Sequence, residues 1–398
     1  PLVPRKLVEF NGVDMEVEVQ KMIDTYKSGK TCRPLFKCSM KTNELLPNHK
    51  FKARVFMGSN FPFLLVCRMY LAPFIRMASR YKYLFETAKG INMDSVEAEE
   101  LYDYLKENEE RIVALDYSAF DQTMSVQVSS AVSACILDIM RDLGCSEEHL
   151  FITRGILTDI NYPNLHFFGT ILQLANSDPS GNPITTELNG GVNSIYLRIF
   201  FFRLYPKLKG IVRYRQAIRS MTYGDDNISS VPEKYSEFNG TNIVRVGKDV
   251  GLTITMANKD ADITDFTHLT ESDFLKRKFR YCPDMKRIRA PLVKESITKS
   301  LYYMKKTSPE SDEELFRRNV DGALRKSSQH GRDLFEEIKS KLLNIARKHG
   351  LESTIHWWGY DELIQHDLKH YYEDYRGYSL ADAPSGAPVQ TDFISESW

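Results

Sequence analysis

The chain has 398 residues, 42% of them apolar and 27% charged, with 53 cationic side chains balanced by 53 acidic ones. Such a composition belongs to a folded globular protein, long for one compact domain. Zero net charge excludes a global basic field as the means of holding nucleic acid and leaves only local clusters.

The six cysteines (Cys32, Cys38, Cys67, Cys135, Cys145, Cys282) include no C-x-x-C pair, which points to a reducing, intracellular setting without a zinc module. The most apolar run, Phe61 to Ile75, carries Arg68 and two prolines and is expected to be too short to span a bilayer. A chain opening on Pro1 is expected to be released from a precursor or shortened.

In chain order, Lys41 precedes Lys50, Lys52 and Arg54. The last three alternate with apolar residues, so a strand would point them from one face. Either solvent or an anion such as phosphate would balance them. Residues 61–107 read as mainly helical. Arg111 to Leu115 reads as a buried strand, with Asp116 at its carboxyl end as a natural first metal ligand. Asp121 follows, either as the cap of a helix holding Met124 to Met140 or as a site group. Residues 150–178 carry few periodic signals and read as an excursion.

Ser180-Gly181, between Pro179 and Pro183, reads as a loop before a long helix towards Tyr205. On that helix Thr185, Asn189 and Asn193 share one face. A polar stripe of this kind needs a polar partner: water, a neighbouring loop, or a bound sugar or base. Ile211 to Ile218, then Met221 to Ile228, then Ser229 to Val231 read as strand, turn, strand about Tyr223-Gly224-Asp225-Asp226. Adjacent carboxylates at a hairpin tip repel each other. They fit an ordinary solvated turn or a hard divalent cation such as Mg²⁺.

Val244 to Val250 reads as a helix end. Gly251-Leu252-Thr253-Ile254-Thr255 leads to Lys259. Asp273 to Arg280 mixes cationic and apolar residues as a strand or hairpin, and Lys286, Arg287 and Arg289 extend the basic patch. From Ser296 the pattern is helical to Tyr375 with a break at 307–312, and Ala381 to Trp398 reads as a loosely held tail. His366 and His370 have metalloprotease-like spacing, but an exposed helix face is the favoured reading.

Taken in this order, the motifs resemble those of the viral RNA-dependent RNA polymerases of the picornavirus-like group (Picornavirales, including insect and other invertebrate picorna-like viruses), over residues 31–300 and more loosely beyond. Asp116-x4-Asp121 is similar to motif A of that family, Ser180-Gly181-x3-Thr185-x3-Asn189 to motif B, and Tyr223-Gly224-Asp225-Asp226 to motif C. Lys259 resembles the motif D lysine, Phe274-Leu275-Lys276-Arg277 motif E, and Lys41, Lys50, Lys52 and Arg54 motif F.

The resemblance implies an α+β right-hand fold. Its parts would be partial fingers (1–70 and 122–179), a palm with an RRM-like antiparallel sheet flanked by helices (71–121 and 180–290), a helical thumb (291–380) and the tail 381–398. The N-terminal fingers are expected to be incomplete. It also implies templated nucleotidyl transfer from NTPs to an RNA 3′ end, in replication and transcription of a positive-strand viral RNA genome, with release of pyrophosphate.

Two Mg²⁺ ions, which Mn²⁺ can replace, would be held by Asp116 and Asp225 with Asp226 as an outer ligand. Lys259 would protonate the leaving pyrophosphate. The motif F cations would hold the triphosphate. Asp121, Ser180, Gly181, Thr185 and Asn189 would surround the nucleotide and its 2′-hydroxyl, whereas a DNA-making palm polymerase would be expected to carry a bulky aromatic in place of Asp121. Tyr223, Gly224 and Phe274 to Arg277 would face RNA. Implied partners are template and product RNA, NTPs, a VPg-like protein primer and other viral replication proteins, in host cytoplasm at membrane-associated complexes. An RNA-binding scaffold with a degenerate palm is the alternative from another class.

Overall fold

The computed structural model describes residues 9–10, 12–41, 54–175, 177–257, 262–302 and 310–370. Lys50, Lys52, Lys259 and the tail 381–398 lie outside the described residues. A small hairpin, β1 (Glu9–Phe10) and β2 (Val13–Asp14), leads into α1 (Met15–Lys27). Asp14 caps that helix by accepting from the amides of Glu16 and Val17. Next come β3 (Leu35–Met40), β4 (Val55–Gly58), α2 (Phe61–Arg80), α3 (Lys82–Phe85) and α4 (Val96–Leu105).

α2 runs further than its apolar core predicts. By length and composition it is long and apolar enough to cross a membrane, which corrects the expectation that no span is. Phe63, Val66, Cys67 and Leu71 are nevertheless fully buried in the largest core cluster, where α2 packs on α1.

β5 (Ile112–Tyr117) is the central strand, followed by α5 (Phe120–Thr123) and α6 (Val126–Asp142). Ser125, not Asp121, caps α6. The expected excursion at 150–178 is instead α7 (Glu147–Asn161) and a hairpin of β6 (Asn164–Phe167) and β7 (Thr170–Gln173). Leu150, Ile156, Leu157 and Ile160 supply a buried helical stripe there. Then come α8 (Thr185–Leu204), the short α9 (Tyr214–Ala217), β8 (Arg219–Tyr223), β9 (Asp226–Ser230), α10 (Gly240–Asp249) and β10 (Ile254–Met256).

The strand expected over 211–218 is therefore a turn and a single helical turn. β11 (Arg280–Cys282), β12 (Arg287–Arg289), α11 (Lys294–Leu301), α12 (Asp312–Ser328), α13 (Arg332–Lys348) and α14 (Tyr360–His370) complete the order.

One four-stranded sheet runs β4-β3-β6-β7. The other, antiparallel, runs β10-β5-β9-β8. β5 lies in the middle of the second sheet and is apolar on both faces, which explains its unbroken Ile-Val-Ala-Leu run. Period-two alternation sends Val113, Leu115 and Tyr117 into the core with α8 and α10, while Ile112 and Ala114 join Met221 and Ile228 in a second core beneath α4. A third core holds the C-terminal helices together around Leu324, Phe335 and Leu363. The expected basic patch around β12 is largely neutralised. Arg287 pairs with Glu99, and the buried Arg289 pairs with Asp367 at 2.7 Å, so the middle acid of the His366/His370 pattern faces an arginine.

Candidate active site

The site forms where β5, β8 and β9 end. Ala114 lies opposite Ile228, and Leu115 opposite Asn227. One further step in that register brings Asp116 level with Asp226. Both carboxylates then share the face of Ala114 and Ile228, beyond the apolar cover of α4. Tyr223 pairs with Asp226, so Gly224-Asp225 is a two-residue turn. Gly224 takes φ +62°, with glycine at the first central position as in a type II′ hairpin. The tip carries Asp225 next to the other two acids.

Asp116 also accepts from the Tyr117 amide at 2.7 Å. Among the described residues no three His, Cys, Asp or Glu side chains form a ready-made metal cage. The three aspartates nevertheless offer hard oxygen donors only, the chemistry that suits Mg²⁺ rather than a softer ion.

A second group of residues borders this end of the sheet. The Ser180-Gly181 loop is stitched to β4. The Met57 amide donates to Ser180 Oγ at 3.2 Å, and the Gly181 amide donates to the Met57 carbonyl at 2.9 Å. A Cβ at Gly181 would lie 2.4 Å from that carbonyl oxygen, so only glycine allows the approach. The Thr185 hydroxyl donates to the carbonyls of Pro179 and Asn182. It braces its own loop.

Burial raises the Asp121 carboxyl above its ordinary range, while its own backbone, Arg54 and Lys41 pull it back. Arg54 and Lys41 are thereby placed in electrostatic reach of Asp121, and the Lys41 amide donates to the Arg54 carbonyl at 2.9 Å.

Asp178 was not singled out by sequence. It is fully buried, its amide donates to the Asp121 carbonyl at 2.8 Å, and its Oδ1 accepts from Asn182 at 2.6 Å. Burial pushes its carboxyl up to about 7; hydrogen bonds from Asn182 and Thr185 oppose this and the Asp121 charge adds to it. Asp178 Oδ2 and Asn189 Oδ1 are buried with no hydrogen-bond partner among the described residues. Buried polar atoms left open in this way lack the partner that such groups ordinarily have.

Asn193, the third member of the polar stripe, points elsewhere: its partners are Tyr117 and the turn of the hairpin. Glu86 was also missed. Its buried carboxylate takes a bidentate grip from Arg198, with both contacts at 2.9 Å, and a bond from Ser194. Its carbonyl accepts from the amide and hydroxyl of Thr222 on β8. A lone acid after an apolar helix carries no sequence signal for that role.

The Phe274-Leu275-Lys276-Arg277 segment is a tight turn closed by reciprocal bonds between Phe274 and Arg277. Phe274 is buried and Lys276 is exposed. Arg277 is turned inward, donating to Asp94 at 2.9 Å and to the Ala290 carbonyl at 2.6 Å. Of this segment the structure therefore leaves Lys276 as the cation best placed to meet a ligand.

Residues 6–346 match the family described as viral RNA-dependent RNA polymerase. The chain is 27% identical over 368 residues to the replicase polyprotein of Drosophila C virus, covering 89% of this chain and 21% of that polyprotein. It is 26% identical over 354 residues to the replicase polyprotein of Cricket paralysis virus, covering 84% and 20%. It thus spans about a fifth of the length of these curated relatives. A Sicinivirus 3Dpol RNA dependent RNA polymerase shares the fold at a TM-score of 0.71 and 16% identity, with 93% of this chain and 75% of that chain covered.

Proposed function

The chain belongs to the viral RNA-dependent RNA polymerases, and on that premise we propose that it extends an RNA 3′ end on an RNA template, using NTPs and releasing pyrophosphate. The observation that carries this reading is the register that sets Asp116 level with Asp226, with Asp225 on the adjoining turn. When bound there, two Mg²⁺ ions (or Mn²⁺) would supply charge for the attacking and leaving oxygens of an in-line displacement.

Asp116 and Asp225 are the proposed ligands, with Asp226 behind them. Lys41 and Arg54, reinforced by Lys50 and Lys52, hold the triphosphate. Lys259 gives the leaving pyrophosphate a proton. Asp121, Ser180, Gly181, Thr185 and Asn189 form the ribose side; the unpartnered oxygen of Asn189 supports that assignment, because a 2′-hydroxyl can donate to it. Tyr223, Gly224, Phe274, Leu275 and Lys276 border the RNA, and Arg277 holds that border in place from behind.

The proposed division is fingers at 1–70 and 122–179, palm at 71–121 and 180–290, and thumb at 291–380. Release from a polyprotein, a VPg-like protein primer, other viral replication proteins and membrane-associated complexes in host cytoplasm belong to the same proposal.

RNA primer extension on a short RNA template tests it, with Mg²⁺ and either NTPs or dNTPs, beside an Asp225→Asn control. NTP-dependent product that disappears in the control is expected. RNA binding with no product at any Mg²⁺ concentration would favour a scaffold instead.

A further inference from the structure

We infer that Asn193 is a positioning residue which holds the carboxylate-bearing turn and the end of β5 in one fixed arrangement; this rests on the reading of Asp116, Asp225 and Asp226 as metal ligands. Asn193 lies on α8 and has no exposed surface. Its Nδ2 donates to three successive carbonyls of the turn: Gly224 at 3.1 Å, Asp225 at 2.8 Å and Asp226 at 3.3 Å. Its Oδ1 accepts from the Tyr117 hydroxyl at 3.0 Å and from Asn227 Nδ2 at 3.4 Å. Asn227 in turn donates to the Leu115 carbonyl at 3.3 Å. One amide therefore contacts the backbone of both turn aspartates and, through Tyr117, the residue after Asp116.

The chemistry requires an amide. Two N–H hydrogens spread over three carbonyls and one oxygen takes two donors, a demand that neither a carboxylate nor an aliphatic group meets. A two-residue turn with adjacent acids is pushed open by charge repulsion when no cation is present. Fixing the carbonyls behind the acids resists that opening before any metal arrives, and α8 is a suitably rigid base: Leu197, Phe200 and Phe201 on it are buried. Second-layer contacts of this kind orient metal-binding groups without touching the metal.

The test uses the whole chain and two readouts that need no turnover: Mn²⁺ binding followed by electron paramagnetic resonance, and amide hydrogen exchange in metal-free protein. Asn193→Ala is expected to weaken Mn²⁺ binding about tenfold and to speed exchange of the 222–228 amides by a similar factor. Tyr117→Phe, which keeps the ring packed against Phe120, is expected to give about threefold in both. Asn161→Ala removes another buried amide, which donates to Ser133 at 2.9 Å, and should leave both readouts at wild-type values.

If Asn193→Ala fails to fold, Tyr117→Phe decides. The inference is overturned if the folded variants match wild type in both readouts, or if exchange rises evenly across the molecule and not chiefly at 222–228. Asp225→Asn separates this from the metal reading. If Asp225→Asn binds Mn²⁺ normally, the ligand assignment is wrong, whereas weak binding there together with normal Asn193 and Tyr117 variants removes only the positioning role.

Discussion

Two tight turns carry candidate site residues, and they are built by opposite means. Between β8 and β9, the Gly224-Asp225 turn puts a glycine where φ is positive, at +62°, and a Cβ there would meet nothing within 4 Å. Between Phe274 and Arg277, Leu275 and Lys276 both take φ +57° without a glycine. The left-handed region costs a non-glycine residue about 1 kcal/mol or more, so this second turn must be held from outside.

It is held by the buried Phe274 ring and by Arg277, whose guanidinium meets Asp94. Asp94 also takes Lys326 from α12 and Gln329 just after it. Burial alone would raise the Asp94 carboxyl, but Arg277 and Lys326 outweigh it and keep the group well below the usual carboxylate range. The first turn is local chemistry with a tertiary brace; the second exists only because of tertiary contacts.

Asp94→Ala should break this contrast most strongly. It leaves Arg277 without its anion and releases α12 from the turn, and a loss of about 2 kcal/mol is expected after allowing for partial exposure of the carboxylate. Chemical denaturation measures it, and faster hydrogen exchange at 274–278 locates it. An unchanged midpoint would mean that the strained turn needs no outside support.

A paired exchange of residues sharpens the same point. Gly224→Ala should cost about 1 kcal/mol from backbone conformation alone, whereas Lys276→Gly should stabilise by up to about 1 kcal/mol by relieving it. The same sign in both would show that the two turns are not opposites.

A pH dependence is also expected at Asp178. Its carboxyl is raised from 3.8 to about 7 in the folded chain. Below pH 3.8 both states are protonated and the group is neutral in the balance. Between there and about 7 the folded state keeps a proton that the unfolded state has lost, so stability falls as pH rises and levels off above. Asp178→Asn should remove that slope and be more stable relative to wild type at pH 8 than at pH 4. A variant with the wild-type slope would place the titration elsewhere.

Much of this architecture was legible in the amino-acid order, for identifiable reasons. Ile112 to Leu115 is apolar on both faces and can only be a central strand. Tyr223-Gly224-Asp225-Asp226 contains its own turn residue. Ser180-Gly181 between prolines forecast a loop, and the glycine proves obligatory against Met57.

The misreadings share a cause too. The Leu275-Lys276 turn has no local signature, because its conformation is imposed by contacts distant in sequence. Arg277, Arg287 and Arg289 read as a basic surface, but their acids come from residues 94, 99 and 367. For Asn193 the spacing i, i+4, i+8 fixes only a face of α8 and left water, a neighbouring loop and a ligand open as its partner; the structure puts the 224–226 turn there. Asp178 and Glu86 act through burial, which no spacing reveals.

The most direct test of the central claim is the rate of a single nucleotide addition with an NTP and with the matching dNTP, measured for wild type, Asp225→Asn and Asp121→Asn. If the sheet-end acids carry the chemistry and the Asp121 group reads the sugar, Asp225→Asn loses about a thousandfold or more on both substrates, while Asp121→Asn chiefly lowers the ratio of NTP to dNTP use. An Asp225→Asn chain that adds nucleotides at the wild-type rate would contradict the account.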